Sequence, residues 1–106
     1  MLTLTRRRDL SWTRDGPAVV ISSDGVGRLP IKLAAPITDW KDHYSQNIWH
    51  VKIMPNVLNG LDKVSAVDAL QIRCLSMRRF IRKRGQASTT IMQEITAAIA
   101  AIIEHA

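Results

Sequence analysis

The sequence lacks the features that mark several large classes of protein. Its 106 residues contain one cysteine, Cys74, which excludes a disulfide framework within the chain and fits a reducing compartment. The longest apolar run, residues 95–103, is about half of the roughly 20 residues that a membrane-spanning helix needs. Residues 1–16 hold no apolar stretch long enough for the centre of a signal peptide. We therefore expect a cytoplasmic protein with no membrane partner.

Metal and nucleotide-cofactor sites have no support in the sequence either. The three histidines, His43, His50 and His105, are far apart, and no cysteine or carboxylate recurs at ligand spacing. Gly25 and Gly27 lack the third glycine and the following helix of a phosphate-binding loop. We expect neither a metal nor a cofactor.

What the chain does have is positive charge. Fifteen Lys and Arg against nine Asp and Glu give a formal net charge of +6, which favours a polyanionic or acidic partner. One group of cationic side chains is crowded into a short stretch, namely Arg73, Arg78, Arg79, Arg82, Lys83 and Arg84. A solvated edge and a nucleic-acid-binding surface are both consistent with this basic cluster.

The apolar pattern predicts strands first and a helix last. Continuous β-branched runs or period-two alternation indicate strands over residues 18–21, 31–37, 47–53, 65–73 and 79–82. From Ser88 the pattern becomes helical, with isoleucines on one stripe that we expect to pack on the sheet, and Ser88 or Thr90 can cap its start. We predict one domain that is mainly β, a small curved antiparallel sheet or open barrel with a C-terminal helix.

Four short segments carry a more specific signal. An apolar strand follows Gly16-Pro17, a second strand ends in Pro36-Ile37-Thr38, Asn59-Gly60-Leu61 forms a turn, and a later strand ends in Gln71-Ile72-Arg73. Together these segments resemble the MazF/PemK family of toxin endoribonucleases. The resemblance implies the SH3-like barrel of the MazF/CcdB type, assembled as a twofold homodimer.

The resemblance also divides the single domain, residues 1–106. It implies barrel strands over residues 17–85 and a C-terminal helix over residues 88–105, and it weakens before Pro17. Residues 1–16 are interpreted as an atypical or degraded first strand, with the alternative that Met1 is not the true start. A missing first strand would leave a sheet edge unpaired, so we expect a less stable protein than its relatives.

The implied chemistry is metal-independent cleavage of single-stranded mRNA, with the ribose 2′-hydroxyl as internal nucleophile. The resemblance places Thr38 beside the scissile phosphate. An arginine would stabilise charge on the phosphoryl oxygens, but the family's arginine before the proline is here Gly16. Arg14, two residues upstream, is the candidate replacement.

Further residues are candidates for contact with RNA. The resemblance suggests that Gln71, Arg73, Arg78 and Arg79 position or read single-stranded bases, which stack on guanidinium planes and bond to side-chain amides. Cys74 is predicted to be a buried small residue.

Two hypotheses remain open. The first is an endoribonuclease toxin of a type II toxin–antitoxin pair, neutralised by an acidic antitoxin protein. The second is a catalytically inactive relative that still dimerises, binds the antitoxin and reaches promoter DNA through it. Both hypotheses assume that the partner binds in the same basic groove. They differ in whether residues 1–16 still provide what catalysis needs.

Overall fold

The computed structural model describes residues 7–22 and 30–103. Its strands are β1 Arg8–Thr13, β2 Gly16–Val20, β3 Ile31–Asp39, β4 His50–Ile53, β5 Ser65–Asp68, β6 Arg73–Ser76 and β7 Phe80–Ala87, and its one described α-helix is α1 Thr89–Ile103. The strands form a seven-stranded antiparallel sheet in the order β4-β5-β3-β2-β1-β7, with β6 paired to β3. This architecture confirms the predicted curved antiparallel sheet with a C-terminal helix.

The first strand is present and has a neighbour on each side. Leu10, fully buried in β1, pairs with Val19 of β2 and with Gly85 of β7. A strand is thus present within the segment interpreted as atypical or degraded, and both of its edges are paired, while the expectation of lower stability than its relatives stays a prediction. The strand was not evident from the sequence because Ser11 and Thr13 are polar residues of the kind expected at the surface. In the structure they are buried, with exposures of 7% and 5%, so apolar and polar residues do not alternate along this strand as they would on one with a buried and an exposed face.

The main core lies between the sheet and α1. Met92, Ile95 and Ala98 are the buried residues of the helix, and they belong to the same apolar cluster as Leu10 and Val19. The predicted isoleucine stripe thus does face the sheet. The Oγ of Ser88 accepts a hydrogen bond from the N–H of Ile91 at 3.2 Å, which makes Ser88 the N-terminal cap. Within the described residues, no helix is long and apolar enough to cross a membrane.

All five predicted strands have different limits in the structure, and the differences are largest for three of them. The predicted strand over residues 65–73 is broken by a 3₁₀ turn, Ala69–Gln71, because the Asp68 carboxylate accepts the N–H of Leu70 at 3.1 Å and caps that turn. The strand predicted over residues 47–53 begins only at His50, and the one predicted over residues 79–82 is part of the longer β7.

Two further sequence-based interpretations concern residues outside the described part of the chain. The glycines at 25 and 27 lie within residues 23–29, and the last two residues of the helix predicted over residues 88–105 follow residue 103.

The strand β3 has two distinct faces. Ala35 and Ile37 belong to the main core, so alternation places Ala34, Pro36 and Thr38 on the opposite face. On that opposite face Ala34 joins a second, smaller apolar cluster that contains Ala18 and Leu75. The predicted site residue Thr38 therefore lies on the side of the sheet away from the helix.

Candidate functional site

A tight hairpin turn between β1 and β2 forms one edge of the site. The turn consists of Arg14 and Asp15, between the last residue of β1 and the first of β2. The hydroxyl of Thr13 donates a hydrogen bond to the carbonyl of Gly16 at 2.7 Å and accepts one from the N–H of Asp15 at 3.1 Å. Gly16 has a φ of 113°, which a side chain would strain. These contacts fix the direction in which residue 15 projects.

The Asp15 carboxylate meets two arginines that are distant in sequence. Its Oδ2 accepts a hydrogen bond from a terminal guanidinium nitrogen of Arg73 at 2.9 Å and another from Arg79 at 3.4 Å. The backbone N–H of Arg14 donates to the carbonyl of Arg79 at 3.0 Å, which ties the hairpin to the 3₁₀ turn Met77–Arg79. We call Asp15, Arg73 and Arg79 the Asp15 cluster.

The Asp15 cluster borders two depressions on the face away from the helix. Asp15 and Arg73 line the first together with Gly16, Pro17 and Pro36. The whole cluster lines the second, beside Cys74.

Cys74 is exposed, so the prediction of a buried thiol is wrong. In β6 the next residue, Leu75, occupies the buried position, and alternation turns the residue before it outward.

Thr38 lies near the end of this face. It is exposed and pairs with Ala66 of β5, two residues beyond Pro36 on the same side of β3. The pairing of β2 with β3 ends at Ala18 and Pro36, so Gly16 and Thr38 each lie two residues beyond the paired positions of their strands.

Arg14, the candidate replacement for the arginine before the proline, belongs to the turn between β1 and β2. It lies at the tip of the hairpin, exposed, and it is separated from Gly16 by Asp15. Within residues 7–22 and 30–103 its guanidinium has no hydrogen-bond or ion-pair partner. The structure brings Arg73 and Arg79 together through Asp15, whereas the side chain of Arg14 is not among the residues that line either depression.

Gln71 is held in a polar network rather than at a strand end. Its Nε2 donates to Asp68 Oδ2 at 2.8 Å, and the same oxygen lies 3.7 Å from His50 Nε2. The other ring nitrogen of His50 contacts the amide of Asn47 at 3.1 Å, and Tyr44 stacks on the ring with centroids 3.8 Å apart. Gln71 remains exposed, but its amide is oriented by Asp68.

The basic cluster of the sequence is largely paired with carboxylates. Besides the two arginines of the Asp15 cluster, Lys83 lies 3.3 Å from Asp9 and Arg84 lies 3.2 Å from Asp62. Among the described residues, Arg78 and Arg82 have no carboxylate partner. The basic cluster therefore offers fewer free cations than its six positive side chains suggest.

Two residues of this surface were missed by the sequence analysis. The only sequence signal for Asp15 was an acidic residue directly before Gly16-Pro17 in a basic chain. Trp12 lies half-buried beneath Arg84, whose guanidinium carbon is 4.5 Å from the ring centroid, in a cation–π arrangement. In the described part of the chain, no group of three or more His, Cys, Asp or Glu could hold a metal ion.

The chain matches one family model over most of its length. The model described as PemK-like, MazF-like toxin of type II toxin–antitoxin system matches residues 11–103. The chain belongs to this family of toxins. The match begins within β1, so the membership covers part of the segment that had looked atypical. No curated protein matches the chain.

Solved structures of MazF proteins have the same fold. The MazE–MazF complex of Deinococcus radiodurans is 23% identical, with 90% of each chain covered and a TM-score of 0.71. The Mycobacterium tuberculosis toxin MazF-mt6 is 19% identical, with 91% of this chain and 94% of that chain covered and a TM-score of 0.71. An endoribonuclease in complex with its cognate antitoxin, from a mycobacterial species, is 16% identical, covers 99% and 100%, and has a TM-score of 0.71.

Proposed function

We propose that this MazF-like toxin is a metal-independent endoribonuclease that cleaves single-stranded mRNA. The observation that carries the proposal is the exposure of Thr38 on the same face as the arginines of the Asp15 cluster, in a chain of the PemK/MazF family. Family membership supports the reaction type, and solved structures of similar fold include endoribonucleases of mycobacterial species.

The reaction that fits this face needs no cofactor. The ribose 2′-oxygen loses its proton and attacks the adjacent phosphorus, the bond from phosphorus to the 5′-oxygen breaks, and the leaving oxygen takes up a proton. The products are a 2′,3′-cyclic phosphate and a free 5′-hydroxyl. The hydroxyl of Thr38 would hydrogen-bond the scissile phosphate. A guanidinium would stabilise the charge that develops on the phosphoryl oxygens.

The RNA would lie along the exposed arginines. Arg73 and Arg79 flank the depressions, and Arg78 lies in the turn beside Arg79 without a carboxylate partner among the described residues. Guanidinium planes offer stacking surfaces to splayed bases and charge to the phosphates. Gln71, with its amide oriented by Asp68, is proposed as a contact to a base edge. Arg14, at the hairpin tip, is proposed to reach the phosphate only when RNA is bound.

The test is a cleavage assay with a matched pair of variants. The purified chain should cut single-stranded RNA in the presence of a chelator and leave cyclic phosphate ends. Thr38→Ala should lower the rate about 100-fold, the typical effect of losing one transition-state hydrogen bond. Thr96→Ala, which removes an exposed hydroxyl on α1, should leave the rate unchanged. Equal rates for the two variants would remove Thr38 from the site.

A second candidate function is supported by a specific observation. Gly16, which carries no charge, stands where the resemblance places an arginine, and the Asp15 carboxylate pairs with two of the remaining arginines. A chain of this kind would act as an inactive toxin relative that still forms a homodimer, binds an acidic antitoxin and contacts promoter DNA through it. Solved structures of similar fold include a MazE–MazF complex and an endoribonuclease with its cognate antitoxin.

The same assay separates the two candidates. Uncut RNA at high protein concentration, from a chain that sediments as a dimer, would favour the inactive relative. Cut RNA with cyclic phosphate ends would exclude it.

A further inference from the structure

We propose that the Asp15 carboxylate is an internal competitor for RNA phosphate at the guanidiniums of Arg73 and Arg79. This inference rests on the proposed function, because it assumes that RNA binds at the same face. By occupying these guanidiniums, Asp15 lowers the affinity for RNA and so raises the RNA concentration at which the toxin acts.

The geometry of the Asp15 cluster is that of an occupied oxyanion site. One carboxylate oxygen accepts from Arg73 at 2.9 Å and from Arg79 at 3.4 Å. A phosphate oxygen prefers the same kind of charge-assisted contact with guanidinium groups. A phosphate and the carboxylate therefore cannot both take these donors without strong repulsion between like charges.

The carboxylate can be displaced because the cluster is open to solvent. The side chain of Asp15 is 42% exposed, and those of Arg73 and Arg79 are 56% and 49% exposed. Exposed ion pairs contribute little to stability, since solvent screens them. An RNA that also contacts neighbouring residues can therefore replace the carboxylate at the guanidiniums of Arg73 and Arg79 at a modest cost in free energy.

The backbone keeps Asp15 in position for this competition. The Thr13 hydroxyl fixes the turn through hydrogen bonds to residues 15 and 16, and the N–H of Arg14 bonds the carbonyl of Arg79. The carboxylate is thus attached to the same rigid unit as one of the arginines that it neutralises. Its release needs only a side-chain rotation, so RNA binding does not require the hairpin to open.

A second exposed carboxylate provides a matched control. Asp9 lies 3.3 Å from Lys83, with side chains 48% and 54% exposed, and it lies four residues before Thr13 on β1, away from the hairpin tip. Asp15→Asn and Asp9→Asn raise the net charge by the same single unit. Any difference between them reports the local contact rather than the overall field of the protein.

The first arm of the test measures RNA affinity by fluorescence anisotropy. A labelled single-stranded oligonucleotide with 2′-O-methyl groups is used because it cannot be cleaved. Asp15→Asn should bind it about 5-fold more tightly than the unchanged chain, since two charge-assisted donors become free for phosphate. Asp9→Asn should remain within about twofold. Equal affinities for the two variants, or weaker binding by Asp15→Asn, would overturn the proposal.

The second arm uses inorganic phosphate and the arginine side-chain signals in NMR spectra. Phosphate should shift the signals of Arg73 and Arg79 at lower concentration in Asp15→Asn than in the unchanged chain or in Asp9→Asn. If phosphate behaves in this way but no variant binds the oligonucleotide, the competition stands and the proposed RNA function fails. If all three proteins bind the oligonucleotide equally, the competition fails and RNA binding stands. If phosphate shifts neither arginine signal and no variant binds the oligonucleotide, both the competition and the proposed RNA function fail.

Discussion

At the scale of single residues, Asn59 shows how a motif residue acts through structure. Its side chain is 2% exposed, and every polar atom on it has a partner. The Oδ1 accepts from the N–H of Asn56 at 3.1 Å and from that of Leu61 at 2.9 Å, while Nδ2 donates to the carbonyl of Met54 at 2.8 Å. This one amide organises the loop between β4 and β5.

We predict that Asn59→Ala lowers the free energy of unfolding by about 2–4 kcal/mol, because it strands backbone groups in the loop without partners. Asn56→Ala is the control, since its exposed side chain accepts one hydrogen bond, from the N–H of Asn59 at 2.8 Å. That control should cost about 1 kcal/mol. Urea unfolding measures both variants, and equal losses would contradict the structural role of Asn59.

Single residues of the site were predictable only where a motif named them. Thr38 was predicted from Pro36-Ile37-Thr38, and the structure leaves it exposed on the face away from α1. The partners of Gln71 and Asp15 were not predictable. The Asp15 contacts join residues 58 and 64 positions apart, and local pattern carries no information about such distant contacts.

At the scale of elements, α1 depends on one buried stripe. Ile95 is fully buried in the main core, whereas Ile103, on the same helix, is 71% exposed. We predict that Ile95→Ala costs about 2–5 kcal/mol of stability, the usual range for a large aliphatic side chain removed from a core. Ile103→Ala should change stability by less than about 0.5 kcal/mol. Thermal or urea unfolding of the two variants gives the comparison, and similar losses would show that α1 packs by another face.

The strand β7 passes close to the loop before β5 at Gly85. A Cβ at this position would lie 2.4 Å from the carbonyl oxygen of Leu58 and 2.6 Å from backbone atoms of Asn59. Since these are backbone atoms that cannot rotate away, we predict that Gly85→Ala destabilises the fold by about 1–3 kcal/mol. Lys83→Ala on the same strand loses only an exposed ion pair and should cost less than about 1 kcal/mol. A Gly85→Ala protein as stable as the Lys83 variant would contradict this close approach.

The elements differ in how well the sequence predicts them, for physical reasons. The helix was evident because its core contacts repeat every three to four residues within one segment. The strand β1 was obscured because small polar residues, Ser11 and Thr13, are buried on it. The break after β5 was missed because a side-chain cap by Asp68 competes locally with strand pairing.

At the scale of the whole molecule, charge pairing decides how strongly the protein attracts RNA. Four of the six cations in the basic cluster have carboxylate partners, namely Arg73, Arg79, Lys83 and Arg84. Together with Arg78 and Arg82, Arg14 remains without a carboxylate partner in the described ranges. The basic cluster therefore offers fewer free cations to phosphate than its six positive side chains suggest.

We predict a moderate salt dependence for RNA binding. Arg73 and Arg79 exchange Asp15 for phosphate, and with Arg14, Arg78 and Arg82 they give about five phosphate contacts and a slope of about −3.5 for the logarithm of the association constant against that of the salt concentration, whereas seven contacts would give about −5. Anisotropy titrations of a non-cleavable single-stranded oligonucleotide across a range of KCl concentrations measure the slope. A value of about −5 would mean that Lys83 and Arg84 also leave their carboxylates when RNA binds.

The account depends most on the claim that RNA lies against the Asp15 cluster, and the single thiol of the chain tests this directly. Cys74 is exposed and lines the same depression as Arg73 and Arg79. Because it is the one cysteine in the sequence, its alkylation rate reports this place alone. With a saturating non-cleavable oligonucleotide bound, the rate should fall at least about fivefold. An unchanged rate under conditions where anisotropy shows the oligonucleotide to be bound would contradict the account.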